Sequence, residues 1–180
     1  MSLRLRLNTR HNDGLRRTLN FAFGVAVALS GCAVDRLPAL VTPGATASDV
    51  QARMGKPITQ GVLPNGGTYW DYTLQPFGYH NYRVSFAPDE RVQTVQDLLT
   101  SQNIARVAPG MSRTQVLDIV GPSRQAEQYG NGTTSLSWRY DDYGVIKLLH
   151  VIFDASDRVQ WSYSEWDPRV YSKKDGGHGK

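Results

Sequence analysis

The chain has a single cysteine, Cys32, among its 180 residues. With no second thiol, an internal disulfide is excluded, and so are zinc sites built from several cysteines. A Cys-His nucleophile would need a histidine partner, but His80, His150 and His178 lie far off in unrelated patterns. A basic excess is also missing from most of the chain. The net charge of +4 belongs to residues 1–31, where Arg4, Arg6, Arg10, Arg16 and Arg17 stand against Asp13. The fifteen basic and fifteen acidic residues that follow cancel. Nucleic-acid binding needs a basic footprint on the folded part to displace counterions, so that class is excluded. Phosphate loops are absent as well. Neither Asn65-Gly66-Gly67-Thr68 nor Gly130-Asn131-Gly132 with Thr133 to Ser135 leads into a lysine and a helix. No Ser, Cys or Thr occupies a recognisable nucleophile motif, and the expectation is a protein that is not an enzyme and carries no metal or cofactor.

What is present begins with the leader. A basic stretch to Arg17 runs into the apolar Leu19–Leu29, which has the length of a signal-peptide h-region and is too short to span a bilayer as a stable helix. Leu29-Ser30-Gly31-Cys32 follows, a large apolar residue, two small ones and then cysteine. This resembles the lipobox of bacterial lipoproteins. The resemblance implies a diacylglycerol on the Cys32 sulfur, cleavage before Cys32, and acylation of the freed amine. Position 33 is Ala rather than the Asp of an inner-membrane retention signal, so outer-membrane sorting is expected.

The rest of the chain repeats itself. Thr42-Pro43-Gly44 to Val50 lines up with Ala108-Pro109-Gly110 to Val116, and each run reaches a glycine, Gly55 or Gly121, with a proline close behind. Trp70-Asp71-Tyr72 matches Trp138-Arg139-Tyr140, Val84-Ser85-Phe86 matches Val151-Ile152-Phe153, and Arg91-Val92 matches Arg158-Val159. The spacing predicts two copies of one module. Thr46 and Ser112 read as N-caps, with Asp49 and Gln115 three residues on. Val50 and Met54, or Val116, Ile119 and Val120, make a short apolar stripe, and the glycines supply a left-handed C-terminal cap. A further short helix is predicted over Leu98–Ala105, capped by Thr100; its counterpart around Leu37 to Val41 is interrupted by Pro38.

Three strands follow in each module. Trp70, Tyr72 and Leu74, then Tyr82, Val84 and Phe86, alternate with polar residues. So do Leu136, Trp138 and Tyr140, then Leu149, Val151 and Phe153, then Val159, Trp161 and Tyr163. Period two with aromatic and β-branched enrichment predicts sheets with one buried face. Ala87 to Glu90 and Asp154 to Asp157 are the turns between the second and third strands. The predicted fold is α+β, two tandem modules of short helices on a three-stranded antiparallel sheet. The predicted organisation is a leader over 1–31, a tether over 32–40, modules over 41–97 and 98–168, and a disordered tail over 169–180.

The order Pro-Gly, short capped helix, Gly-Pro, Trp-x-Tyr, apolar strand ending in Phe, then Arg-Val resembles the SmpA/OmlA (BamE-like) outer-membrane lipoprotein family. Residues Pro109-Gly110-Met111-Ser112, Gly121-Pro122, Trp138-Arg139-Tyr140 and Arg158-Val159 form the closer copy. A tandem pair also resembles the architecture of the secreted β-lactamase inhibitor proteins. The resemblance implies a lipid-anchored, periplasm-facing protein of a Gram-negative envelope. Its implied partners are the membrane, through Cys32, and envelope proteins such as the β-barrel assembly machinery. The alternative is a periplasmic inhibitor that grips one enzyme. Nothing in the family's partner surface maps onto a motif here.

Candidate site residues are therefore read from chemistry. The turns Gln75-Pro76-Phe77-Gly78-Tyr79-His80-Asn81 and Asp142-Tyr143-Gly144-Val145-Ile146 carry aromatics where polar residues are the rule. Phe77, Tyr79 and Tyr143 are the candidate partner-binding residues, since aromatics dominate interface hot spots. The competing reading folds Phe77 and Tyr143 back over the sheet edge or the neighbouring module. Asp141, Asp142, Asp154 and Asp157 are read as turn residues rather than calcium or acid/base carboxylates, and His150 as an outward-facing polar side chain.

Overall fold

The computed structural model describes residues 41–171. Cys32, the leader and the tether lie outside the described residues, as does the tail beyond Tyr171. Each module opens on a capped helix. In α1 (Ala47–Met54) Thr46 accepts from the Asp49 amide and Asp49 answers the Thr46 amide; in α3 (Arg113–Val120) Ser112 and Gln115 do the same. Each such cap contributes about 1 kcal/mol. The glycines that end these helices, Gly55 and Gly121, do have positive φ, 76° and 78°. Their ψ is extended (−159° and −177°), however, which is glycine-only backbone rather than the expected left-handed cap. Between the modules lies the short α2 (Ser101–Ile104), capped by Thr100.

Both sheets are antiparallel and have four strands rather than three. The first is β1 (Thr59–Val62), β2 (Thr68–Thr73), β3 (Asn81–Phe86) and β4 (Val92–Asp97), in that order. The second is β5 (Gln125–Gln128), β6 (Thr134–Asp142), β7 (Val145–Phe153) and β8 (Val159–Trp166). The strands that sequence reading missed, β1 and β5, are almost wholly exposed edges, so no buried alternation marks them. The fold is α+β. The tail reading is corrected at its start, because Arg169 to Tyr171 belong to a helical turn, α4 (Pro168–Tyr171).

Register also corrects the repeat. Phe86 pairs with Thr68 and Phe153 with Thr134, so Trp70 corresponds to Leu136 and Tyr72 to Trp138. The shared Trp-x-Tyr is displaced by two residues, which keeps every side chain on its own face. Function follows the register: the Tyr72 hydroxyl donates to the Gly55 carbonyl at 3.3 Å, and Trp138 Nε1 donates to that of Gly121 at 3.1 Å. The repeated Arg-Val acquires a reason too. Val92 and Val159 hydrogen-bond through their backbones to the Pro-Gly turns, and Arg91 and Arg158 donate to the Gly44 and Gly110 carbonyls at 2.9 and 3.3 Å.

Each module has its own core. Val50 and Met54 of α1 pack on Tyr72, Tyr82, Val84 and Phe86. Val116 and Val120 of α3 pack on Leu136, Trp138, Leu149, Val151 and Phe153. The end of α3 also meets the outer face of the first sheet. Asn81, fully buried, donates through Nδ2 to the carbonyls of Val120 (2.7 Å) and Pro122 (3.0 Å). Arg83 holds Asp71 in a two-point ion pair at 2.7 and 2.8 Å and reaches the Asp118 carbonyl at 3.3 Å. Gly121 is thus pinched between Asn81 and Trp138. A Cβ there would stand 2.9 Å from the Asn81 side chain.

Candidate interaction surface at the module junction

The second contact between modules is built by the loop between β2 and β3. Where β6 and β7 run on to a two-residue turn, this loop leaves the first sheet and wraps β6. The Gln75 side-chain amide accepts from the Arg139 backbone N–H at 3.1 Å and donates to its carbonyl at 2.7 Å. β5 ends opposite Ser137, so Gln75 takes the place that a longer β5 would fill. Arg139, itself buried, pairs through Nε with the fully buried Asp167 and donates through Nη1 to the Phe77 carbonyl at 2.8 Å. Arg169 reaches the Pro76 carbonyl at 3.4 Å.

The three aromatic candidates part company here. Tyr79 is half-buried, its ring against the Arg139 guanidinium at 4.8 Å; it braces the loop. Phe77 has its backbone fixed by Arg139 while its ring is 80% exposed. Tyr143 is 96% exposed. It sits with Gly144 in the turn between β6 and β7, at φ 52° and 88°, the primed turn that suits a two-residue hairpin. Neither Phe77 nor Tyr143 folds back over a neighbour.

An open cleft beside Tyr143 is lined by His80, Asp97, Leu99 to Gln102 and Asp141. His80 Nδ1 meets Asp97 at 2.6 Å, and the ring stacks on Tyr82. The bond to Asp97 raises the His80 pKa above 6.5, against the effect of burial. Asp142 accepts from Lys147 and Ser101 at 2.5 Å each, and these bonds hold its carboxyl below the usual range. Asp141 accepts the Gly144 amide and Asp154 those of Ser156 and Arg158, as turn carboxylates do. Asp157 pairs with Arg113. His150 faces outward, bonded to Ser137 and Glu165 and stacked on Tyr163. Among the described residues no group of three or more His, Cys, Asp or Glu is placed to hold a metal ion, and no helix is long and apolar enough to cross a membrane.

Gln75, Arg139 and Asp167 were not singled out in the sequence. Arg139 lies 64 residues from Gln75 and 28 from Asp167, and no spacing rule connects such partners.

The fold and this surface define an α+β body of two four-stranded sheets with exposed aromatic side chains, Phe77 and Tyr143, at two of its turns. No family model matches the chain. Over 99 residues it is 34% identical to the "Probable capsid and replication-associated protein" of Torque teno virus (isolate Human/Ghana/GH1/1996), covering 55% of this chain but 12% of that protein's length. Among solved structures it is similar to an osmotically inducible lipoprotein, OsmE, at 22% identity over 39% of this chain and 83% of that one, with a TM-score of 0.34. It is also similar to YjgB, a DUF4309 family protein of Bacillus subtilis, at 16% identity over 74% and 86% of the two chains, with a TM-score of 0.28. Overlaps of this size carry no functional argument.

Proposed function

We propose that this is an envelope lipoprotein, anchored through Cys32 at the periplasmic face of the outer membrane, whose two-module body binds protein partners without catalysis. The basic leader and Leu29-Ser30-Gly31-Cys32 support the anchor. Acyl chains contribute about 0.8 kcal/mol per buried methylene, and two or more on one residue give a stable anchor where a single chain binds reversibly. A role in outer-membrane protein assembly or envelope integrity fits that location.

The observation that carries the interaction surface is Tyr143. A bulky side chain at positive φ costs about 1–2 kcal/mol where Gly or Asn would not. At 96% exposure Tyr143 recovers none of that by packing. An unfavourable residue with no structural return is an anchor waiting for a partner's surface. Phe77, on a backbone already fixed by Arg139, would lose little freedom on binding.

Tyr143→Asn separates fold from function. It should raise Tm slightly and, combined with Phe77→Ala, abolish partner recovery from detergent-solubilised envelopes. Undiminished recovery by the double variant would sink the surface. Recovery of barrel-assembly components supports the assembly role, whereas a single soluble hydrolase supports an inhibitor. Cys32→Ser should release the protein from membranes or leave it uncleaved; unchanged fractionation and mass would remove the anchor.

A further inference from the structure

The two modules differ in what lies beside the first turn of the capped helix. In the second, Arg113 opens α3 and reaches across to the turn between β7 and β8. Its Nε and Nη2 donate to Asp157 at 3.0 and 2.5 Å, and its guanidinium stands 4.9 Å from the centre of the Phe153 ring. Leu117, one turn further on, packs against the same core. The repeat gives each of these a counterpart in the first module. Ala47 opens α1 where Arg113 opens α3, and Gln51 stands for Leu117. Phe86 ends β3 as Phe153 ends β7, each opposite a threonine and a valine. Glu90 and Asp157 hold the same turn position, at φ 61° and 58°.

The first module thus keeps the carboxylate and the ring but lacks the arginine. Among the described residues the Glu90 side chain has no hydrogen-bond or ion-pair partner. An open pocket of about 320 Å³ has all three counterparts, Ala47, Phe86 and Glu90, in its wall, together with Trp70. Register sets Trp70 where the second module has Leu136. Its indole adds a second ring, edge-on to Phe86 with centroids 4.8 Å apart, and indole is the aromatic face that attracts cations most strongly. Two further hollows meet this one at Trp70, and Gln51 lines both. The neighbouring Arg91 is engaged elsewhere, donating to the Gly44 carbonyl at 2.9 Å. Its counterpart Arg158 does the same to Gly110 and coexists with Arg113.

We propose that this pocket receives the side chain of an arginine carried by a protein partner, seated as Arg113 is seated in the second module. The guanidinium donates to Glu90 and lies against the aromatic wall, and its alkyl stem passes Ala47, where the chain itself supplies only a methyl group. A carboxylate beside an aromatic face recognises a guanidinium twice, by charge-assisted hydrogen bonds and through the ring quadrupole. Lysine brings a point charge without the planar fork, and a neutral side chain brings no charge at all. The pocket shares no residue with the Phe77 and Tyr143 surface. It rests on the reading of the body as a protein binder for its natural partner, but a blocked peptide tests the pocket without one, so the two proposals fail separately.

The test is an NMR titration of the isotope-labelled full chain in detergent micelles with the peptide acetyl-Gly-Arg-Gly-amide, followed at the indole N–H of Trp70. That resonance is assigned by its loss in Trp70→Leu, which installs the residue of the second module. It is expected to shift with a Kd of about 10 mM, the strength of one charge-assisted pair and one ring contact at a surface. Glu90→Gln should weaken binding at least about fivefold. Ala47→Arg supplies the missing side chain from within, as the second module does, and should raise Tm and abolish the shift. A flat titration of the wild-type chain would overturn the proposal, as would equal shifts with citrulline or lysine in place of arginine. So would an unchanged Kd in Glu90→Gln, or an Ala47→Arg chain that binds the peptide as the wild type does.

Discussion

At the scale of single residues, His80 sets a pH dependence. Its Nδ1 is bonded to Asp97 and its ring faces Asp141, and both carboxylates favour the imidazolium; the bond to Asp97 is the larger cause. The folded pKa therefore lies above the unfolded value of 6.5. The sign follows: protonated His80 stabilises the fold fully below pH 6.5, and that contribution is lost as pH rises through the folded value. Tyr72 and Tyr82, pushed up to about 12 by burial, stay neutral over this window. Asp142, whose pKa is lowered, has the opposite sign and loses its contribution only in acid. Melting temperatures measured between about pH 6 and pH 8.5 should fall more steeply for the wild-type chain than for His80→Gln. Parallel slopes would remove His80 from the account.

At the scale of elements, the Gln75 side chain stands in for a strand. Gln75→Ala would leave the N–H and C=O of Arg139 without partners in a buried setting, at a cost of about 2–4 kcal/mol. Amide hydrogen exchange should report this locally, with the Arg139 N–H losing protection while that of Leu149, deep in the same sheet, changes only with global stability. Protection of Arg139 equal to wild type would mean that another group fills the gap. The helices were legible in the sequence because capping is local: Thr46 and Asp49, or Ser112 and Gln115, are three residues apart and bond as their spacing requires. β1 and β5 were not, since strands exposed on both faces carry no period-two signal. The Trp-x-Tyr match misled by two residues because a shift of two leaves the hydrophobic face unchanged. Of the candidate surface, Phe77 and Tyr143 could be named but their exposure could not. Whether a loop aromatic turns inward depends on Arg139 and Asp167, which only the folded chain brings near.

For the whole molecule, buried polar side chains join the halves: Gln75 on β6, Asn81 on the end of α3, and Arg139 on the Phe77 carbonyl. Asn81 uses its amide hydrogens on two carbonyls. Asn81→Asp would turn a carboxylate toward those same oxygens, destabilising the junction by more than about 3 kcal/mol. Wild-type protein should unfold in urea as a single transition, and Asn81→Asp should split it in two; one unbroken transition at an unchanged midpoint would show that the halves are coupled by something else. The junction also gives the chain a direction that its repeated sequence conceals. The first half carries Asn81 and Arg83 on the face it turns to its successor, and the second half carries Leu148 and His150 there. A permuted chain with the halves exchanged would press Leu148 against helix-end carbonyls that need a donor and would leave Asn81 facing outward. The two copies have ceased to be interchangeable, and their order along the chain is now part of what the fold depends on.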